Sequence, residues 1–185
     1  MRSMIGAGLL CVSLTGILEA QSLAATRVAA AERLLERLVE TYGVSGEEGK
    51  IRQLIISELP GWATPETDAA GNLWVRAGKG GSPVVLVAHM DEIGLMVTAI
   101  QDGFIRFTNV GGIDVRVLLS QPVLVHGQEL LPGLVGSRPP HVTAQADRKK
   151  YPALADLGID TGLPARQVEK LVRVGDPVTF DQKAV

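Results

Sequence analysis

A histidine and an aspartate two residues apart, His89-Met90-Asp91, close the run Pro83-Val-Val-Leu-Val-Ala88, and these two side-chain types can do metal chemistry together. A carboxylate that accepts one ring N–H of a histidine selects the tautomer and raises the basicity of the nitrogen left to bind a cation. Asp91 is spaced to be that acceptor. Spacing alone favours the plainer alternative, a histidine hydrogen-bonded for structure at a strand end. The six apolar residues before it, bounded by Gly80-Gly81 and Gly94, predict a strand buried on both faces, as found inside α/β layers. Open α/β sheets bind ligands beyond the carboxyl ends of such strands.

Helices must support that strand. From Thr26 onward, apolar residues at Ala31, Leu34, Leu35, Leu38, Val39 and Tyr42 mark one helical face opposite Glu32, Arg33, Glu36, Arg37 and Glu40, with Gly43 as the stop. Ser45-Gly-Glu-Glu48 reads as a capping box opening a second helix through Ile51, Leu54, Ile55 and Leu59, ended by Pro60-Gly61. Asn72 to Arg76 reads as a strand, and Gly78 to Gly81 as the turn of a hairpin leading to the apolar run.

After Gly94 the texture becomes short and β-rich. Strands are expected at Leu95 to Ile100, Phe104 to Val110, Val115 to Leu119, Pro122 to His126 and Gly133 to Val135, with a turn at Asp102-Gly103. This spacing of turns suggests a small barrel or sandwich. Arg173 to Phe180 would add a further strand, pushed toward an edge by Pro177.

Composition narrows the function classes. Eighteen basic and twenty acidic residues give a net charge of −2, and aromatics are 4%, so neither the basic footprint nor the stacking surface of a nucleic-acid binder is present. Arg2, the apolar stretch over residues 4 to 18 and Ser22-Leu-Ala24 form the three parts of a secretory signal, with an apolar core too short to anchor stably in a bilayer. Secretion or a periplasmic location is expected. A mis-called start codon, which would leave the protein cytoplasmic, is the alternative. Cys11 is the only cysteine and would leave with the signal, so no disulfide is expected. Met90 and Met96 are read as packing, and Asp147-Arg-Lys-Lys150 as a solvated loop.

Several motifs in order resemble the glutamyl and deblocking aminopeptidases, the co-catalytic metallopeptidase family whose archaeal members are called tetrahedral aminopeptidases. Tyr42-Gly-Val-Ser45-Gly-x-Glu48 is similar to the family's opening helix junction, and Ala88-His-Met-Asp-Glu-Ile-Gly94 to its first metal motif. Asp102-Gly-Phe104, Val110-Gly-Gly-Ile-Asp114-x-Arg116-Val-Leu118 and Gly136-Ser-Arg-Pro-Pro-His141 resemble its β-module. Asp156-Leu-Gly-Ile-Asp160-x-Gly162 is similar to the second metal motif, and Val174-Gly-Asp-Pro-Val178 to the strand closing the module. The resemblance runs from Leu34 to Phe180.

It implies an α/β fold, with part of a catalytic α/β metallopeptidase domain followed by an inserted small β-barrel-like domain. The expected divisions are residues 1–25 as signal, 26–94 as the first part of the catalytic domain, 95–180 as the inserted dimerisation domain and 181–185 as the return to the catalytic domain. It also implies two divalent ions, zinc or cobalt, activating a water that attacks the scissile carbonyl of a peptide's amino-terminal residue. His89 would bind one ion, Asp160 would bridge both, and Asp91, counted with the catalytic residues, would stand behind His89. A bridging carboxylate can hold cations at ~2.0 to 2.2 Å from each oxygen while the ions sit roughly 3.5 to 4 Å apart. Asp160 also fits an Asx-type turn, and Glu92 fits either a solvated side chain or the holder of a backbone amide.

The family pattern further requires a glutamate base with a glutamate ligand, another carboxylate ligand and a final histidine after the inserted module, and the 185 residues contain none of these. His126 and His141, in the β-module, have no ligand partner at useful spacing. The implied function is therefore a metal-dependent aminopeptidase in a truncated, inactive form. The alternative is a non-catalytic assembly module derived from such an enzyme. Peptide substrates, a homo-oligomer formed through the β-domain, no nucleic acid and no stable membrane anchor complete the expectations.

Overall fold

The computed structural model describes residues 4–142, 145 and 150–184, with side chains from Ser22 onward apart from Pro140. It divides into two compact units, Met1–Glu40 with Ala184–Val185, and Thr41–Lys183. The first unit is one long helix, α1 (Met4–Val39), with Arg37 in its last turn. It differs from the expected helix by starting well upstream of Thr26 and by ending before Gly43. The leucine- and alanine-rich stretch ahead of Thr26 has good helix propensity and simply continues the coil. Among the described residues no helix is long and apolar enough to cross a membrane.

The second unit opens with α2 (Gly49–Glu58) and a two-stranded ribbon, β1 (Glu66–Thr67) with β2 (Leu73–Trp74). The ribbon is held by Asp68, whose Oδ1 accepts from the Ala70 and Asn72 amides at 3.0 and 2.9 Å and whose Oδ2 accepts from Asn72 Nδ2 at 2.9 Å. These bonds hold the Asp68 carboxyl below its usual pKa, the Asn72 side chain contributing most. The expected strand from Asn72 to Arg76 is thus shortened to two residues.

The rest is a closed barrel of six strands: β3 (Gly94–Gln101), β4 (Phe104–Val110), β5 (Pro122–His126), β6 (Leu130–Ser137), β7 (Leu157–Asp160) and β8 (Pro177–Phe180). Around the barrel the order is β3-β4-β7-β6-β5-β8, all neighbours antiparallel. Asp102 and Gly103 both have positive φ, 53° and 84°, so the β3–β4 hairpin turns in the twist-matching form that an Asp-Gly pair favours. Alternate residues point inward: Ile105 and Phe107 from β4, Val123 and Val125 from β5, with Leu95, Ile159 and Val178 meeting them in one core. Each such side chain contributes roughly 1.5–3 kcal/mol by leaving water.

The structure departs from the sequence pattern at four further places. Val115–Val117 is a 3₁₀ turn rather than a strand, because Asp114 accepts from the Arg116 amide at 3.0 Å and clasps its guanidinium. That clasp draws the Asp114 carboxyl down to about 2. β8 is not an edge: it pairs with both β3 and β5, and Pro177 is tolerated as the first residue of the strand. The sequence pattern predicts neither β7 nor the helix α3 (Ala165–Leu171), which follows Pro164.

The fourth departure is the largest. Residues 83–88 form no strand and pair with nothing in a ladder among the described residues, and Val84, Leu86 and Val87 are 86%, 94% and 88% exposed. A buried strand requires hydrogen-bonding neighbours on its edges and layers on its faces. The barrel strands close on one another and offer this segment no edge.

Tyr42 stacks on His126 at the end of β5, ring centroids 4.2 Å apart, and His126 Nε2 lies 2.9 Å from Thr179 Oγ1. Burial first, then the Lys50 charge, lowers the His126 pKa from 6.5. The folded state then binds fewer protons than the unfolded one, so this contribution is complete above pH 6.5 and lost as pH falls through the folded value. The urea midpoint should therefore drop between about pH 7 and about pH 5, and His126→Gln should reduce that drop. An unchanged pH profile in the variant would refute the assignment.

Candidate functional site

The site grows from a strap, residues 43–45, laid beside residues 91–92. Glu92 donates its amide to Gly43 O at 2.8 Å, and Ser45 donates its own to Glu92 O at 3.4 Å, giving a parallel bridge between Val44 and Glu92. The Glu92 carboxylate accepts from the Gly43 amide at 3.1 Å. Glu92 is therefore the holder of a backbone amide, the second of the two roles its sequence context left open. Burial raises the Glu92 pKa, and the Gly43 amide opposes that shift. Val44 is buried, and Gly43 permits the close packing: a Cβ there would lie 2.6 Å from Ile51 Cγ2.

The strap delivers Ser45 to Asp91. Its hydroxyl donates to Asp91 Oδ2 at 2.5 Å, while the Nδ1 of His89 lies 3.2 Å from Asp91 Oδ1 and 2.9 Å from the Asp91 carbonyl. The carbonyl can only accept, so this geometry calls for the proton on Nδ1 and leaves the Nε2 lone pair free. The Ser45 hydroxyl is the main cause of a lowered Asp91 pKa, outweighing desolvation. The sequence pattern makes Ser45 a helix cap. In the structure Glu48 holds the N-cap position of α2 without a side-chain cap, and its Oε1 accepts from the Gly46 amide at 2.6 Å.

His89 borders a cleft of about 530 Å³. Its walls are the first turn of α2, the β1–β2 ribbon and residues 85–91. Arg52 ties two of these together, donating Nε–H to Gly71 O at 2.9 Å with Glu48 3.7 Å from its guanidinium. The His89 side chain is 86% exposed.

Asp160 ends β7, and its Oδ1 accepts from the Gly162 amide at 2.8 Å, the Asx geometry its sequence allowed. Among the described residues no hydrogen bond or ion pair joins it to His89 or Asp91, and no group of three or more His, Cys, Asp and Glu side chains there could hold a metal ion. His126 is engaged by Tyr42 and Thr179. His141 is exposed in a 3₁₀ turn. The Asp147–Lys150 loop lies outside the described residues except for Lys150. Zinc sites use three or four protein ligands. His89 alone has the orientation of one, and the described residues do not by themselves complete a shell.

The family described as M42 glutamyl aminopeptidase matches residues 71–185. The lysyl aminopeptidase of Pyrococcus furiosus is 38% identical over 120 residues, covering 61% of this chain and 34% of that protein. Among solved structures, the TET aminopeptidase of a marine sediment Thaumarchaeota archaeon is 29% identical with a TM-score of 0.76, covering 80% of this chain and 44% of its own. The Pyrococcus horikoshii TET1 peptidase, described as assembling into a tetrahedron or a large octahedral shell, is 38% identical with a TM-score of 0.72, covering 80% and 46%. The chain spans less than half the length of these relatives. The ordered motifs, the barrel and a match over more than half of its residues agree: the chain belongs to the M42 glutamyl aminopeptidase family.

Proposed function

We propose that this chain carries part of the apparatus of a metal-dependent aminopeptidase that removes amino-terminal residues from peptides. The observation that carries the reading is the His89–Asp91 pair at the cleft, with Nδ1 committed to the aspartate and Nε2 left for a cation. His89 is assigned to one divalent ion, zinc or cobalt, Asp160 to the bridge between two, and Asp91 to the support of His89. When bound, such an ion pair supplies a water of lowered pKa and polarises a carbonyl. The peptide substrate would lie along the cleft.

The domain divisions proposed are residues 26–94 for the catalytic portion, 95–180 for the inserted module and 181–185 for the return. Residues 1–25 are proposed as an export signal to a secreted or periplasmic location. Because the described residues do not complete the metal shell, the 185-residue chain alone is proposed to be inactive. The purified chain, supplied with zinc or cobalt, should release no amino-terminal residues above a metal-free control. Chelator-sensitive release that is abolished by His89→Ala would overturn the inactivity proposal and establish His89 in the reaction.

The complete, closed barrel favours a second reading, an assembly module that pairs copies of this chain. Its core is shut without outside strands, so it can persist as an assembly unit. Light scattering should then give at least twice the 19.6 kDa chain mass. A monomer at micromolar concentration would exclude self-pairing.

A further inference from the structure

Ser45 is 46 residues from Asp91 in sequence, yet its hydroxyl is the nearest donor on that carboxylate. Main-chain bonds from Glu92 to Gly43 and from Ser45 to Glu92 fix the strap against residues 91–92, and buried Val44 anchors it between them. The serine is therefore held by the backbone, and its position does not depend on the carboxylate it meets.

That arrangement divides the two oxygens of Asp91. Oδ2 is occupied by the Ser45 hydroxyl, which turns Oδ1 toward His89 Nδ1. Without the serine, the carboxylate could rotate about its terminal torsion, which is broad and nearly two-fold. Only the Asp91 carbonyl would then hold the ring. His89 is so exposed that packing cannot orient it. Hydrogen bonds must do so.

We propose that Ser45 is a positioning residue: it locks the Asp91 carboxylate so that His89 is kept in the Nδ1–H tautomer, with Nε2 presented to a divalent cation. The proposal rests on the reading of His89 as a metal ligand, and nothing in the opening motif's similarity to a helix junction assigns the serine this task. A hydroxyl at this point acts on the metal motif through the aspartate and touches neither metal nor substrate.

The test uses the full 185-residue chain, metal-free and labelled with ¹⁵N in its imidazoles, at a pH where the histidines are neutral. Long-range ¹H–¹⁵N correlation reads the tautomer of His89 directly. The wild-type chain should show the Nδ1–H form as the dominant one. In Ser45→Ala the share of that form should fall, since only the Asp91 carbonyl is then fixed as an acceptor for Nδ1–H, and Ser45→Thr, which keeps the hydroxyl, should restore it. Barrel amide signals from residues 94–110 serve as the folding check in each variant. An unchanged His89 tautomer in a folded Ser45→Ala chain would overturn the proposal, as would failure of a folded Ser45→Thr chain to restore it.

Cobalt(II) added afterwards tests the underlying reading separately. Selective broadening of the His89 Nε2 signal supports it. A tautomer shift in Ser45→Ala with no cobalt effect on wild-type His89 would leave Ser45 as the tautomer-setting group and remove the cation from the proposal.

Discussion

Ile105→Ala is expected to lower the unfolding free energy of the barrel by about 2–5 kcal/mol, the range for deleting a buried branched side chain. Ile105 is wholly buried in β4, opposite Ile100 on β3 and Ile159 on β7. The size of the loss depends on how far the surroundings can collapse into the vacated space. Here they can collapse little, because the strands on both sides are held in a closed ladder and neither can slide inward without breaking pairs around the ring. Urea denaturation of the variant and the wild type, with barrel-specific amide signals as the probe, would measure the loss. The matched control is Val84→Ala, a deletion from an exposed and unpaired residue, expected within about 0.5 kcal/mol of wild type. A loss below 1 kcal/mol at Ile105, or equal losses at the two sites, would mean that the barrel is not the cooperative core.

The elements that could be read from the chain share one property: their signals are local. β3 and β4 are written as alternating residues around Asp102-Gly103, and β5 as alternating Val123 and Val125, so pattern and turn chemistry suffice. β7 is four residues long with Gly158 inside it, too short and too flexible to show a period. The Pro83–Ala88 run shows the opposite failure. Its composition encodes burial, but a strand is a relation to a neighbour, and no composition names the neighbour. At the site, the histidine and aspartate were visible because they lie two residues apart. Ser45 was visible only as a helix cap, since a serine hydroxyl caps an amide or donates to a distant carboxylate with the same chemistry. Only the fold decides which partner it meets.

Gly94→Ala is expected to damage both the barrel and the site, because this glycine is where they join. A Cβ at residue 94 would lie 2.6 Å from Val44 Cγ2, 3.0 Å from Val44 Cγ1 and 2.9 Å from the Val178 carbonyl oxygen. The carbonyl belongs to β8, which is paired on both sides and cannot retreat cheaply. Val44 is the part that can give way, and it lies in the strap between Gly43 and Ser45. Overpacking of this kind costs about 1–3 kcal/mol in stability, measurable as a lower urea midpoint. Displacing Val44 also draws Ser45 from Asp91, so the His89 tautomer bias should weaken in whatever fraction remains folded. Gly112→Ala, at a position with open space around it, is the comparison and should change neither readout. If Gly94→Ala matched Gly112→Ala in stability and in the His89 signal, the junction would not be as tight as these distances make it. The expected result, a coupled loss, would show that the fit of one glycine against β8 sets the geometry of a histidine five residues away.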